Sequence, residues 1–198
     1  MENTYILYEG DRCILIDPGM NTRAEEQVVE NFVEENKLRV ECILLTHAHI
    51  DHIFGLKWSQ ERFRLPAWCH PQEQVVLEHT SQVAEIYGFP PMEPPSNIRF
   101  FSDTDTIDVG DMHLDIVFTP GHSPGSVCYL DRTNKVVIAG DVLFRESIGR
   151  TDLPGGDYDT LMNSIRQNLL ALEDDWVVCP GHGPKTTIGY ERRHNPFL

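Results

Sequence analysis

Residues 46–52 bring three histidines and one aspartate together, in the order His47, His49, Asp51 and His52. Imidazole and carboxylate groups are ligands that zinc, iron and manganese accept. Alternate residues of an extended backbone face the same way, so His47 and His49 can bind one ion. Asp51 and His52 follow where the chain should turn into a helix, and they can face a second ion. The spacing predicts a metal site, and by itself it leaves open whether the metal is structural or catalytic.

The elements before this motif place it at the end of a strand. Residues 42–45 are continuously apolar and predict a buried strand, and residues 5–8 and 13–16 predict a hairpin. Between them, a capping-box pattern and one apolar face predict a helix over residues 22–36. This strand–helix–strand order puts the motif at the carboxyl end of a strand, where open α/β sheets usually have their sites.

The later elements are a mixture of helices and strands. A proline-rich loop over residues 89–95 divides them. We expect two sheets packed together and covered by helices. The predicted helices are 55–63, 71 to about 87, and one capped by Asp157; the predicted strands are 67–69, 106–109, 114–118, 127–130, 135–138 and 176–179.

Three later segments repeat the pattern of an apolar strand followed by a glycine-flanked ligand. The ligands are His122, Asp141 and His182. Glycine next to a ligand lets backbone and metal approach closely. Each segment is a weak signal alone, and together with residues 46–52 they are a strong one.

Other polar residues have simpler interpretations. Asp17 precedes Pro-Gly, which favours a turn-forming role over a ligand role. His70, His79 and His113 have no partner at ligand spacing, so we expect capping or surface positions.

Composition excludes several classes of function. The 198 residues, 40% of them apolar, suffice for one domain over residues 1–198. The net charge of −15 argues against nucleic acid and against an anionic membrane surface. Five scattered cysteines without C-x-x-C spacing indicate reduced, buried thiols. With no recognisable signal peptide or membrane span, we expect a cytoplasmic protein.

The ordered set of motifs resembles the metallo-β-lactamase superfamily, and within it the glyoxalase-II-like hydrolases. Residues 140–152 and the ending 191–198 are similar to its short single-domain branch. The resemblance implies an α+β fold, a four-layer αββα sandwich with its site at one edge.

The resemblance also implies a ligand set for two divalent ions, zinc first, with iron or manganese as alternatives. Asp141 would bridge the ions, and Asp17 would match the family's structural aspartate. The first ion would be bound by His47, His49 and His122, and the second by Asp51, His52 and His182.

The implied activity is hydrolysis of a small thioester such as S-lactoylglutathione. A hydroxide held between two cations would attack the carbonyl, and the cations would stabilise the oxyanion. A thiol of pKa about 8.5 leaves without a strong general acid. We expect catalytic roles for Asp51 and Asp141, and we expect Arg150 to bind a substrate carboxylate, with Arg145 and Lys185 as further candidates.

Three alternatives stay open at this point. A mononuclear iron persulfide dioxygenase shares the ligand pattern, a lactonase is a further enzyme, and a metal-stabilised binding protein is the non-catalytic option.

Two-domain hydroxyacylglutathione hydrolases carry a C-terminal helical domain, which we do not expect here, so glutathione as the thiol is undecided. True metallo-β-lactamases lack the bridging aspartate, which Asp141 supplies. The sequence decides neither the substrate nor the oligomeric state.

Overall fold

The computed structural model describes residues 2–102 and 105–198. The described residues form two compact units. The N-terminal unit comprises residues 4–102 and 109–112, and the C-terminal unit comprises residues 2–3, 105–108 and 113–198. Each unit has its own hydrophobic core. The expectation of one domain over residues 1–198 stays a prediction.

The N-terminal unit is built on a five-stranded sheet in which β1 and β2 are antiparallel and the remaining neighbours are parallel. The strand order follows the sequence, from β1 to β5. The strands are β1 (Tyr5–Glu9), β2 (Arg12–Ile16), β3 (Arg39–Leu44), β4 (Ala67–Cys69) and β5 (Ile98–Phe100); the helices are α1 (Arg23–Glu35), α2 (Leu56–Phe63), α3 (Gln74–Glu78) and α4 (Thr80–Ile86).

Helix α1 begins as its sequence predicts. The Thr22 side chain accepts a hydrogen bond from the Glu25 backbone, and the Glu25 carboxylate accepts one from the Thr22 backbone, which completes a capping box. Val29 and Val33 are buried in the core of the unit. The predicted helix over residues 22–36 is confirmed within one residue at each end.

The single helix predicted from Pro71 to about Tyr87 is wrong. Residues 71–73 form a 3-10 turn, and α3 and α4 follow with a break at His79. The His79 amide donates to the Val76 carbonyl, three residues back, and the Thr80 hydroxyl donates to the Leu77 carbonyl. A side chain that competes for helix carbonyls in this way favours a helix end over a helix interior.

The C-terminal unit is built on a six-stranded sheet of order β13-β12-β9-β8-β7-β6, in which β12 and β9 are parallel neighbours. A separate hairpin pairs β10 with β11. The strands are β6 (Thr106–Val109), β7 (Met112–Phe118), β8 (Val127–Asp131), β9 (Val136–Gly140), β10 (Leu143–Phe144), β11 (Ser147–Ile148), β12 (Val177–Pro180) and β13 (Thr186–Thr187); the helices are α5 (Tyr158–Ser164) and α6 (Ile188–His194).

One prediction for the helices of this unit is confirmed, and two elements near its C-terminal end were not predicted. Asp157 caps α5 through the Thr160 amide, as predicted. Strand β13 and helix α6 were not predicted from the sequence. In α6 the Glu191 side chain is fully buried and accepts hydrogen bonds from the Glu146 amide and the Asn195 side chain.

In the described part of the chain, no helix is both long enough and apolar enough to cross a membrane.

The five cysteines are free and buried, as predicted, and burial disfavours the thiolate. Burial raises the pKa of Cys42 and of Cys128 to about 12. Burial, together with the charge of Glu41, raises the pKa of Cys13 to about 11.

We predict that the native thiols do not react with a disulfide reagent. At pH 8 a thiol of pKa 11 is ionised in about one molecule per thousand, and access is restricted as well. Thiol titration of native protein should detect none of the five cysteines within minutes, and titration in guanidinium should detect all five. Rapid reaction of the native protein would contradict the buried assignment.

Candidate metal-binding residues of each unit

The segment 46–52, called here the His-Asp loop, leaves the carboxyl end of β3 in the N-terminal unit and ends in a 3-10 turn at Ile50–His52. His47 and His52 are fully buried, with ring centroids 4.1 Å apart. The His49 ring lies 4.7 Å from the His47 ring, nearly perpendicular to it. Three crowded imidazoles are an arrangement that a shared cation stabilises.

Asp17 holds this loop at both of its ends. It follows β2, the parallel neighbour of β3, and adopts a positive φ of 50°, which aspartate tolerates. Its carboxylate accepts hydrogen bonds from the Thr46 amide and the Thr46 hydroxyl, each at 2.7 Å. The His52 Nδ1 atom lies 3.1 Å from the same carboxylate. Asp17 therefore orients the loop through hydrogen bonds within the unit.

These contacts determine which nitrogen each histidine presents. The single hydroxyl proton of Thr46 goes to Asp17, so Thr46 Oγ1 accepts from His47 Nδ1 at 3.1 Å. His52 Nδ1 likewise donates to Asp17, because an ionised carboxylate accepts only. Both rings then expose a lone pair on Nε2, the form in which a histidine binds a metal.

Glu73 is a functional candidate that sequence reasoning missed. It lies in the 3-10 turn after β4, the other neighbour of β3, and its side chain is fully buried. The Glu73 carboxylate accepts a hydrogen bond from the Ala48 amide at 2.7 Å. Ala48 separates His47 from His49. The available signal was an acidic residue in the turn that follows the strand predicted over residues 67–69.

In the C-terminal unit, Asp141 and His182 follow the adjacent parallel strands β9 and β12, whose register pairs Gly140 with Pro180. Asp141 Oδ2 lies 3.5 Å from His122 Nε2 and 3.4 Å from His182 Nε2. One carboxylate oxygen therefore lies close to a nitrogen of each histidine. The sequence marked these three residues by a repeated strand–glycine–ligand pattern, and the family resemblance assigned them to one site.

The position of His122 depends on the segment after the β10–β11 hairpin. His122 Nδ1 donates to the Arg150 carbonyl at 2.8 Å, which again leaves a lone pair on Nε2. A Cβ atom on Gly149 would lie 1.9 Å from the Asp141 carbonyl oxygen and 3.2 Å from the Cβ of His122. Only glycine permits this approach.

Asn3 is a second residue that sequence reasoning missed. Its side chain donates to the carbonyls of Pro180 and Gly183, at 3.0 and 2.8 Å, and its amide donates to the Gly181 carbonyl. These bonds hold the turn that carries His182. An asparagine near the N-terminus gave no signal of this role, because its partners are about 180 positions away.

The three basic residues predicted to bind substrate already have partners. Arg150 makes two hydrogen bonds to Asp152, at 2.6 and 2.8 Å, and this lowers the pKa of the Asp152 carboxyl to about 2. The Arg145 guanidinium lies 4.7 Å from the Tyr190 ring centroid. Burial raises the pKa of the Cys179 thiol, and the nearby Lys185 ammonium opposes that rise. Substrate binding by these residues stays a prediction.

Three further histidines have the positions expected for them. His70 caps the 3-10 turn at residues 71–73 through its Nδ1 atom. His79 lies on the surface, and its Nδ1 atom is 2.7 Å from the Val75 carbonyl oxygen. His113 is exposed between Asp108 and Asp115.

The donor chemistry of both units fits divalent metal ions. The N-terminal unit offers imidazole nitrogens and the half-buried Asp51 carboxylate, and the C-terminal unit offers two further imidazoles and the Asp141 carboxylate. Zinc, iron and manganese all accept this mixture, and the set contains no thiolate that would select zinc.

The chain belongs to the metallo-β-lactamase superfamily, whose model matches residues 1–182. Membership supports a metal-dependent hydrolase and confirms the predicted fold class, an α+β αββα sandwich.

Two curated relatives match nearly the whole chain. A probable metallo-hydrolase, YqgX of Bacillus subtilis, is 39% identical over 99% of this chain and 92% of its own length. The hydroxyacylglutathione hydrolase GloC of Haemophilus influenzae is 34% identical over 100% of this chain and 92% of its own length.

Solved structures are similar along the full chain. BLEG-1, described as a B3 metallo-β-lactamase, is 38% identical with a TM-score of 0.87, covering 100% of this chain and 94% of its own. TTHA1623 in a di-iron-bound form is 37% identical with a TM-score of 0.87, and the match covers 100% of this chain and 95% of its own. ETHE1 from Myxococcus xanthus is 26% identical with a TM-score of 0.78, and the match covers 98% of this chain and 78% of its own.

We predict that Thr46→Val weakens metal binding about 10- to 100-fold, the usual effect of removing a hydrogen bond that orients a ligand. Valine keeps the shape of threonine but loses the hydroxyl that links Asp17 to His47. Thr46→Ser keeps the hydroxyl and is the matched control. Zinc affinity should be measured by competition with a chromophoric chelator; equal affinities for the valine variant and the wild type would contradict the tautomer assignment.

Proposed function

We propose that this chain is a dinuclear metal-dependent hydrolase of small thioesters, of the hydroxyacylglutathione hydrolase type. Asp141 contributes to both metal sites. The ligands proposed for the first ion are His47, His49 and His122, and those for the second are Asp51, His52 and His182.

The position of the Asp141 carboxylate carries the proposal. Its Oδ2 atom lies 3.5 Å from His122 and 3.4 Å from His182, the two histidines of the C-terminal unit that we assign to different ions. A carboxylate shared between two histidines in this way is suited to bridging two cations. A purely structural ion needs only four closed ligands, whereas this chain supplies seven candidates.

The thioester class is supported by family and by leaving-group chemistry. GloC, similar over the full chain, is described as a hydroxyacylglutathione hydrolase. Two bound divalent cations would supply a hydroxide near neutral pH and would stabilise charge on the carbonyl oxygen. A thiolate leaves without strong protonation, because its conjugate acid has a pKa of about 8.5.

The chain's own residues have distinct tasks in this scheme. Asp17 and the Arg150 carbonyl keep His52 and His122 in the tautomer that carries its proton on Nδ1 and can bind a metal through Nε2. We assign Asp51, which is half-buried near the end of the His-Asp loop, the role of accepting a proton from the attacking water. Arg150 binds a substrate carboxylate after leaving Asp152.

We also propose zinc as the native metal and the cytoplasm as the location. Reduced, buried cysteines suit a reducing compartment. The substrate is a small molecule, and the charge of −15 opposes binding to nucleic acid or an anionic membrane.

The decisive assay compares the zinc form with the iron form. Zinc-loaded protein should release thiol from S-lactoylglutathione under nitrogen, because hydrolysis consumes only water. The similarity to ETHE1 and to a B3 metallo-β-lactamase defines the competing assays. Oxygen uptake with glutathione persulfide by the iron form, or turnover of a chromogenic β-lactam, each without thioester cleavage, would overturn the proposal.

Asp141→Ala should abolish turnover and reduce bound metal below two ions per chain. Loss of a shared carboxylate removes a ligand from both ions and leaves their charge under-neutralised. Metal analysis and thioesterase assays measure both effects. Asp159→Ala, in the exposed first turn of α5, is the control and should retain both properties. Full metal content with near-normal activity in the Asp141 variant would refute the bridge.

Arg150→Ala should raise KM for S-lactoylglutathione about tenfold and change kcat much less, since it removes a charged contact remote from the carbonyl. Asp152→Asn is the complementary variant, because it releases Arg150 from its bidentate ion pair. Its KM should fall. An unchanged KM in both variants would exclude Arg150 from substrate binding.

A further inference from the structure

The His-Asp loop is held from both sides by buried carboxylates on neighbouring strands. Asp17 follows β2 and accepts a hydrogen bond from the Thr46 amide. Glu73 lies after β4 and accepts one from the Ala48 amide, and both bonds are 2.7 Å long. Strand β3, which leads into the loop, lies between β2 and β4 in the sheet. Asp17 matches the structural aspartate of the family, whereas Glu73 has no role in the function proposed above.

Glu73 acts at the residue that separates two proposed ligands of one ion. Ala48 is buried and joins His47 to His49, whose ring centroids are 4.7 Å apart. Rotation of the peptide at Ala48 would move both imidazoles. The hydrogen bond that the Ala48 amide donates to the buried Glu73 carboxylate therefore constrains the spacing of the pair.

A negative charge on Glu73 would act on the loop in addition to the hydrogen bond. Its side chain is fully buried, where a carboxylate is costly and a neutral acceptor would satisfy the same amide. Burial raises the pKa of the Cys69 thiol, and the negative charge of the nearby Glu73 carboxylate raises it further. A buried negative charge behind the loop favours a cation in front of it.

We propose that Glu73 is a positioning residue that fixes the His47–His49 pair through Ala48 and strengthens metal binding through its charge. This inference rests on the proposed metal centre. Glu73 itself touches neither substrate nor the reacting atoms.

The test uses Glu73→Gln, which keeps an acceptor and removes the charge, and Glu73→Ala, which removes both. Glu191→Gln is the matched control, because Glu191 is also fully buried and its carboxylate also accepts a hydrogen bond from a backbone amide, the amide of Glu146. Zinc affinity is measured by competition with a chromophoric chelator, and the ligand-field spectrum of the cobalt-loaded protein reports the histidine geometry. Thermal unfolding of the metal-free proteins shows that each variant folds.

The glutamine variant should bind zinc about tenfold more weakly with an unchanged cobalt spectrum, and the alanine variant about 100-fold more weakly with an altered spectrum. The control should stay within twofold. Zinc affinity of Glu73→Gln within twofold of the wild type overturns the inference, and this variant decides alone if Glu73→Ala does not fold. A wild-type protein that binds no metal overturns the proposed function, and the inference with it.

Discussion

The Asp17 carboxylate is the contact on which the loop of the N-terminal unit depends. It binds the amide and hydroxyl of Thr46 at the start of the His-Asp loop and lies 3.1 Å from His52 at the end. A buried carboxylate is stable only when its oxygens are satisfied, so the loop and the aspartate hold each other in place. The result is that His47 and His52 each carry the proton on Nδ1 and a lone pair on Nε2, the form of imidazole that binds a cation.

In the C-terminal unit, strand ends and a backbone carbonyl orient the proposed ligands. Adjacent parallel strands bring Asp141 and His182 to one edge of the sheet, and the Arg150 carbonyl orients His122. Gly149 allows the close approach to the Asp141 backbone. In both units a backbone or side-chain oxygen fixes the second nitrogen of a proposed ligand, which is the arrangement that raises ligand basicity in metal sites.

Sequence patterns predicted the parts of this protein that depend on local burial. The strands before each proposed ligand, helix α1 and the cap of α5 follow from apolar runs and capping residues. Glu73, Asn3 and Glu191 were missed because each has a backbone partner 25 to 180 positions away, and local sequence patterns give no information about such contacts. The break at His79 was missed because the helical pattern continues across it, and a hydroxyl–carbonyl bond from Thr80 ends the helix.

The central claim is that Asp141 bridges two metal ions, and anomalous diffraction from crystals of the zinc-loaded protein tests it most directly. Data at the zinc edge should show two peaks per chain about 3.5–4 Å apart, the usual separation in two-metal sites, with the Asp141 carboxylate contacting both. A single peak under full loading, or two peaks with Asp141, His52 or His182 turned away from both, would contradict the account.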